Sequence, residues 1–231
     1  MAKVQWLGHS CFKITSDSGK IIIIDPWLEG NPAAACSVND ITAANLVLVT
    51  HDHFDHISNA AQIVQKTGAT LIAAVETAGK LKAGGVPEQQ VVFYGMGMNI
   101  GATAEVDGIS VTMTQAFHSS ESASPVGYII KLENGCTIYH AGDTGVFASM
   151  VTLGVLYPMD LALLPIGGVF TMDPKQAATA VKLLGAKKVI PMHYKTFPIL
   201  VQDAGIFAEM VKKEVPEAEV VILSPGQEYT V

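Results

Sequence analysis

The segment LVLVTHDHFDH (46–56) joins an apolar run to the densest group of histidines and aspartates in the chain. Its first four residues form an apolar run typical of a buried strand. In an extended chain, residues i and i+2 point the same way, so His51 and His53 can hold one ion together. Asp55 and His56 lie just beyond and can turn towards a second ion. Imidazole and carboxylate groups at this density predict a site for zinc or another divalent transition metal.

The composition predicts a folded protein with a large apolar interior. The chain has 231 residues, of which 49% are hydrophobic and 15% charged, whereas a typical soluble domain has about 25% charged residues. This excludes intrinsic disorder. The length predicts a single domain over residues 1–231, since single cores grow to roughly 250 residues. The net charge of −7 and the lack of a basic run predict a small-molecule substrate and no nucleic-acid partner.

The most apolar stretch, Leu153 to Phe170, does not predict a membrane span. Pro158, Asp160 and Pro165 interrupt it, and a span needs about 20 predominantly apolar residues. The three cysteines have no CxxC spacing, which argues against a disulfide framework. The opening MAKVQWLGHSCF has no signal-segment pattern. We therefore expect a cytoplasmic protein without a membrane partner, and the oligomeric state stays open.

Strand-like runs outnumber helical patterns along the chain. The runs recur from Val4–Leu7 to Glu219–Leu223 and include Val91–Phe93. Because strands and helices mix, the pattern predicts an α/β fold of two packed sheets flanked by helices. The predicted helices are Ser58–Thr67, Asp173–Leu184 and Ala204–Glu214.

Several other apolar runs also end in a histidine or an aspartate. His9 follows VQWLG, His118 follows VTMTQAF, Asp143 follows TIYHAG and His193 follows KKVIPM. Strands of one sheet share an edge, so residues at strand ends can converge. The sequence therefore predicts one site assembled from distant positions.

These residues make the sequence resemble the metallo-β-lactamase superfamily. THDHFDH matches its THxHxDH signature, and His118, Asp143 in HAGDT and His193 in PMHY match the later ligands in order. The segments WLGHSCF and IDPWL more narrowly resemble a branch of uncharacterised metal-dependent hydrolases that is similar to ascorbate 6-phosphate lactonase. The resemblance implies a four-layer αββα sandwich with two mixed sheets.

The resemblance also implies two divalent metal ions, zinc foremost, with Mn, Fe or Ni compatible. The implied ligands are His51, His53 and His118 for one ion, Asp55, His56 and His193 for the second, and Asp143 as a bridge. Two ions, two carboxylates and a bridging hydroxide sum to about +1, which favours an anionic substrate. Bound metal lowers the pKa of water to ~7, which supplies hydroxide at neutral pH.

The favoured function is a binuclear metal-dependent hydrolase that uses a metal-bridging hydroxide on a small anionic substrate of lactone or ester type. Hydrolysis of a small phosphodiester is an alternative, since the same pair of ions serves both reactions. A non-enzymatic metal-binding module is a third reading, which metal analysis would separate from the others.

Three residues are candidates for catalytic roles. Asp55 can accept the proton of the attacking water in addition to binding metal. His9 either orients a neighbouring loop or has a functional role at the mouth of the site, where it would support a metal ligand from behind or contact the substrate. His140 either gives a proton to the leaving group or has a structural role.

Four further residues are candidates for contacts around the metal ligands. Asp25 ends an isoleucine run, and a carboxylate there needs hydrogen bonds, so we expect it to hold loop amides or a ligand histidine. Ser119 and Tyr194 follow two of the ligands and should rim the cavity. Lys195 either pairs with a substrate phosphate or carboxylate, or is an ordinary solvated lysine.

Overall fold

The computed structural model describes residues 1–231 as thirteen strands and six helices. The strands are β1 Lys3–Gly8, β2 Cys11–Thr15, β3 Ile21–Ile24, β4 Leu46–Leu48, β5 Thr70–Ile72, β6 Thr103–Val106, β7 Ile109–Gln115, β8 Val126–Lys131, β9 Thr137–His140, β10 Leu161–Pro165, β11 Lys188–Met192, β12 Glu219–Val220 and β13 Glu228–Thr230. The helices are α1 Phe54–Ile57, α2 Ala60–Thr67, α3 Val75–Ala83, α4 Met150–Leu156, α5 Pro174–Leu184 and α6 Gly205–Glu214.

The strands form two mixed sheets. The first sheet has the order β13-β1-β2-β3-β4-β5, and the second has the order β12-β11-β10-β9-β8-β7-β6. Helix α2 contacts β4 of the first sheet, whereas α5 and α6 contact β10 and β12 of the second. The predicted αββα sandwich of two mixed sheets flanked by helices is thereby confirmed.

Alternating side chains join the layers. On β3, Ile22 and Ile24 enter the large core, which contains residues of both sheets, and Ile23 enters a smaller cluster with α2 and α3. This is the period-two alternation of a strand buried on both faces. The hydroxyl of Tyr128 on β8 donates to the Val49 carbonyl at 2.7 Å, so one buried hydrogen bond ties the second sheet to the first.

Strand direction explains why distant residues meet. In the first sheet β1, β3 and β4 run the same way, and in the second sheet β7, β9 and β11 do. The chain therefore leaves each sheet at the same edge after each of these strands. The predicted site residues that follow them are His9, Asp25, His51, His118, Asp143 and His193.

Most of the predicted elements are present, and the differences have local causes. Val91–Phe93 is not a strand, because Val91 makes only an isolated bridge to Leu71 and Phe93 has a left-handed φ of 54°. The predicted helices correspond to α2, α5 and α6. Asp173 caps α5 by accepting from the Gln176 amide at 2.8 Å.

The sequence patterns gave no indication of α3, α4, β6 or β13. The sequence of β6 is TAEV and that of β13 is EYT, and each strand has two exposed residues. Neither therefore shows the apolar run of a buried strand. α4 carries a glycine in its middle, which weakens a helical pattern. No helix has the length and apolar character required to cross a bilayer.

Candidate metal centre

The backbone bends sharply where three of the site residues leave their strands. His9, Asp25 and His193 have φ values of 55°, 46° and 54°, a left-handed conformation that costs non-glycine residues energy of order 1–3 kcal/mol. Gly142, beside Asp143, also has a positive φ, and a Cβ there would lie 2.4 Å from the Val126 carbonyl oxygen. Strain and close backbone approach are thus concentrated at one edge of the sandwich.

The first candidate group consists of three imidazoles, those of His51, His53 and His118. The Nδ1 of His53 lies 3.0 Å from Nε2 of His51 and 3.2 Å from Nε2 of His118. Thr50 Oγ1 lies 3.0 Å from the other nitrogen of His51 and fixes that ring. Burial and the neighbouring His56 lower the pKa of His51 to about 3. His51 is therefore neutral at pH 7 and has a nitrogen lone pair available to a cation.

The second candidate group consists of Asp55, His56 and His193. The carboxylate of Asp143 lies between the two groups: its Oδ2 is 3.0 Å from His193 Nε2, 3.3 Å from His56 Nε2 and 3.6 Å from His118 Nε2. Asp55 Oδ2 lies 3.9 Å from His193 Nε2. Burial opposes the charge of Asp143, but His193 and His56 outweigh it and hold the pKa of Asp143 well below its usual value.

Asp25 orients the ring of His56. Its Oδ2 lies 2.7 Å from His56 Nδ1, and its two oxygens accept from the amide and hydroxyl of Thr50 at 2.8 and 2.7 Å. Burial disfavours a charged His56, but Asp143 and Asp25 outweigh burial and raise the pKa of His56 well above its usual value. A proton on Nδ1 is held by Asp25, which leaves Nε2 directed at Asp143. Asp25 thus occupies the expected place behind a candidate ligand.

The residues fit a divalent transition metal. His56 Nε2 and Asp143 Oδ1 are buried and have no hydrogen-bond partner within the protein, a costly arrangement that a cation would relieve. The carboxylates of Asp55 and Asp143 pair only with histidines, not with Lys or Arg. A donor set of five imidazoles and two carboxylates suits zinc and its neighbours in the first transition row.

A cavity of about 510 Å³ opens above these groups. Its base is polar and its entrance apolar. The residues that line it are His53, Phe54, Asp55, His118, Ser119, Asp143, Phe170, His193, Phe197 and Ile199. Ser119 thus lies where the sequence predicted, and none of the lining residues is a lysine or an arginine.

His9 lies behind the site and holds Asp55. It is completely buried, with Nε2 3.1 Å from Asp55 Oδ2 and Nδ1 2.9 Å from Thr196 Oγ1. Burial and His193 lower the pKa of His9 to about 4, so the neutral ring carries one proton. Burial opposes ionisation of Asp55, but the hydrogen bond from His9 and the charge of His56 together outweigh it and lower the pKa of Asp55. This geometry favours the functional interpretation of His9 in which the ring holds a metal ligand, here Asp55, from behind.

The structure corrects the proposed proton-donor role of His140. The side chain is fully buried. Its Nε2 donates to the Ser10 carbonyl at 3.0 Å, and its Nδ1 accepts from the Gly142 amide at 3.2 Å. With both ring nitrogens engaged by backbone, His140 has no free proton to give and does not line the cavity. It holds the turn that precedes Asp143.

Tyr194 and Lys195 also differ from expectation. They line a separate cavity of about 400 Å³, where Tyr194 stacks on Trp6 at a centroid distance of 5.4 Å. The cause is the left-handed φ of 64° at Lys195, where the amide donates to the Val201 carbonyl and the chain turns away from His193. An anion anchor from Lys195 is therefore not available in the cavity above the candidate groups.

Sequence reasoning missed Asp52, although it lies between two candidate ligands. Its carboxylate accepts from Ser120 Oγ at 2.6 Å and from the Glu121 amide at 2.9 Å, and it pairs with Lys80 at 2.9 Å. Asp52 thereby joins the loop that carries His118 to the His51 segment. A carboxylate directly after a buried strand needs several partners, and that requirement was the available signal.

Comparison with known proteins agrees with this architecture. The sequence-family model of the beta-lactamase superfamily domain matches residues 20–194 of this chain. A UPF0173 metal-dependent hydrolase from Nitratidesulfovibrio vulgaris (strain Hildenborough) is 50% identical over 228 residues, 99% of this chain and 95% of the relative. A second such hydrolase, from Korarchaeum cryptofilum, is 42% identical over 230 residues and 99% of both chains.

A solved structure is similar over the same extent. Igni18, described as a novel metallo hydrolase from the hyperthermophilic archaeon Ignicoccus hospitalis, superposes with a TM-score of 0.89 at 39% identity. The alignment covers 99% of this chain and 97% of Igni18. The family match and the identity over nearly the full length establish that this chain belongs to the metallo-β-lactamase superfamily and is a metal-dependent hydrolase.

Proposed function

We propose that this superfamily member is a binuclear hydrolase of carboxylic esters or lactones that uses two zinc ions. The observation that carries the proposal is the position of Asp143, whose Oδ2 lies within 3.6 Å of His118 on one side and 3.3 and 3.0 Å of His56 and His193 on the other. One carboxylate between two groups of ligand atoms supports two ions that share a bridge.

The ligand assignment follows the two candidate groups. His51, His53 and His118 would hold one ion, Asp55, His56 and His193 the other, and Asp143 both. When bound, such a pair lowers the pKa of water to about 7 and polarises the oxygen of the scissile bond. This would supply a water-derived nucleophile for hydrolysis at neutral pH.

The other residues of the site position the ligands. Asp25 keeps a proton on His56 Nδ1, so that a metal ion would replace the proton on Nε2. His9 donates to one oxygen of Asp55 and keeps that carboxylate ionised. An ionised Asp55 can accept a hydrogen bond from water beside the scissile bond, which is the geometry that a base requires.

The cavity supports an ester or lactone better than a phosphate-bearing substrate. A carbonyl compound needs no cationic anchor besides the ions themselves. A sugar phosphate would place a charged group that is remote from the scissile bond against a wall that contains Phe54, Phe170 and Ile199 and no lysine or arginine. Placing an unpaired charge there is costly. The cavity therefore has no cationic side chain to bind the phosphate of a sugar-phosphate lactone, the kind of substrate that the family resemblance suggested.

A paired assay tests the proposal. Zinc-loaded wild type, Asp143→Ala and the control Glu217→Ala, at an exposed position remote from the site, are compared on γ- and δ-lactones, aryl esters and bis(p-nitrophenyl) phosphate. Metal content is measured by mass spectrometry. We expect two zinc ions per chain and ester or lactone turnover in wild type and Glu217→Ala, with turnover reduced at least ~100-fold in Asp143→Ala. Phosphodiester turnover alone, or a chain that binds no metal, contradicts the proposal.

A further inference from the structure

The cavity above the candidate metal centre has a polar base and an apolar rim, which we define as Phe54, Phe170, Phe197 and Ile199. At the base, Asp143 and His193 are each 2% exposed. At the rim, Phe54, Phe170 and Ile199 are 62%, 54% and 61% exposed. The two zones therefore differ in both depth and chemistry.

The apolar rim comes from three separate parts of the chain. Phe54 begins α1, Phe170 follows β10, and Phe197 and Ile199 follow β11. Convergence of four large apolar side chains from separate segments is not the scattered exposure that ordinary surfaces show. A rimmed apolar cavity over a reactive centre is the usual form of a small-molecule site.

The rim is supported from behind. Trp27 is 4% exposed and packs edge-on against Phe54 at 5.5 Å and stacked against Phe197 at 5.7 Å. The Val201 amide donates to the Gly167 carbonyl at 2.9 Å, which joins the loop after β11 to the loop after β10. The aromatic wall is therefore built in advance of ligand binding.

Apart from the candidate ligands, the wall of the cavity contains no charged side chain. Among the residues other than these ligands, Ser119 has the only lining side chain that can form a hydrogen bond. Lys195 lines the other cavity. A substrate group above the base would thus meet aromatic and aliphatic carbon and one hydroxyl.

From these observations we infer that the substrate carries an uncharged aryl or medium-chain alkyl group beside its ester or lactone bond, and that Phe170 and Ile199 determine this preference. This inference rests on the proposed hydrolase function and adds the substrate class to it. The reaction is ordinary hydrolysis: water adds to the carbonyl carbon, the ester C–O bond breaks, and the acid and alcohol are released.

The kinetic test uses zinc-loaded protein and p-nitrophenyl acetate, hexanoate and monosuccinate. We expect kcat/KM for hexanoate to exceed that for acetate and for the anionic succinate by about tenfold, mainly through KM. Phe170→Ala and Ile199→Ala should each remove most of this preference, because they should lower kcat/KM for hexanoate more than kcat/KM for acetate. Val155→Ala, which changes an exposed apolar residue on α4, is the control and should keep the preference.

A binding measurement separates this inference from the proposed function. The chain has two tryptophans, and Trp6 belongs to the other cavity, so in a Trp6→Phe background Trp27 alone reports on the rim. Titration with the free hexanoate anion should change the emission of Trp27 at a concentration about tenfold lower than titration with free succinate. Phe170→Ala should abolish this difference.

The outcomes are distinct. If no ester is hydrolysed but hexanoate still binds preferentially, the proposed function fails and the inference about the cavity stands. If esters are hydrolysed and succinate is preferred or equal in both assays, the hydrolase stands and the apolar specificity is overturned. Loss of the preference in Val155→Ala would also overturn the assignment to Phe170 and Ile199.

Discussion

At the scale of single residues, the partner of each ring nitrogen decides what a histidine does. His140 and His56 are both fully buried. Backbone groups engage both nitrogens of His140. In His56 only Nδ1 is engaged, by Asp25, and Nε2 is left without a hydrogen bond. The THxHxDH signature indicated His56 as a ligand, whereas the position of His140 at the end of an apolar strand left its role open.

Asp25→Asn tests the role assigned to Asp25. The amide of asparagine cannot keep a proton on His56 Nδ1 as a carboxylate does, so more of the neutral ring should carry its proton on Nε2. We expect zinc affinity to fall about 10- to 100-fold, measured by competition with a chelator. The control is Asp160→Asn, which removes a carboxylate that accepts from the Thr137 amide far from the site. Unchanged zinc affinity in Asp25→Asn would refute the assignment.

At the scale of the elements, a polar link joins turns of the two sheets. Glu133, between β8 and β9, accepts hydrogen bonds from Ser16 Oγ at 2.6 Å, the Ser18 amide at 3.1 Å and the Ser18 hydroxyl. Burial opposes its charge, but the hydrogen bonds from the two serines together outweigh burial and lower the pKa of Glu133 to about 2. The turn between β2 and β3 is thereby held against the second sheet.

Glu133→Gln should lower stability in a pH-dependent manner. A glutamate with a lowered folded pKa contributes stability above its unfolded pKa of about 4.3. That contribution is lost as the pH falls towards about 2. Because Glu133 is exposed, we expect less than about 1 kcal/mol. Thermal unfolding should show a Tm about 2 °C lower than wild type at pH 7, with the difference shrinking below pH 4. A constant difference across this range would contradict the link.

At the scale of the whole molecule, the candidate metal centre spans the joint between the two sheets. His51 follows β4 of the first sheet, whereas His118, Asp143 and His193 follow β7, β9 and β11 of the second. Metal bound to these side chains would cross-link the halves of the sandwich. A ligand that binds only the folded state also stabilises that state by mass action.

Metal removal should therefore lower the stability of the entire protein. At a free zinc concentration 100 times Kd, one site adds about 2.7 kcal/mol, or about 5–10 °C in Tm for a chain of this size. Calorimetry of zinc-loaded and chelator-treated protein would measure this shift, which added zinc should restore. Asp143→Ala should show a smaller shift. Equal Tm values for loaded and stripped wild type would exclude metal as a structural link.

Much of this organisation follows from local sequence. The apolar runs, the turn residues after them and the HxHxDH spacing are encoded within a few positions, because strand alternation and ligand spacing are local properties. The same reasoning failed for Val91–Phe93, where three apolar residues with strand propensity enter a turn with left-handed backbone. It also missed the link from Asp52 to Ser120, whose partners are 68 residues apart.

The superfamily was indicated by the resemblance of the THxHxDH segment and the later ligand motifs. The two packed sheets and the residues that follow the strand ends were predictable from the sequence, since they depend on local periodicity and spacing. What surrounds these residues depends on the tertiary structure. It brought Phe54, Phe170 and Ile199 together over the site and turned Lys195 into another cavity. The physical reason is that the path of a loop depends on backbone hydrogen bonds and packing with distant segments, such as the bond from the Val201 amide to Gly167, and no local pattern records those partners.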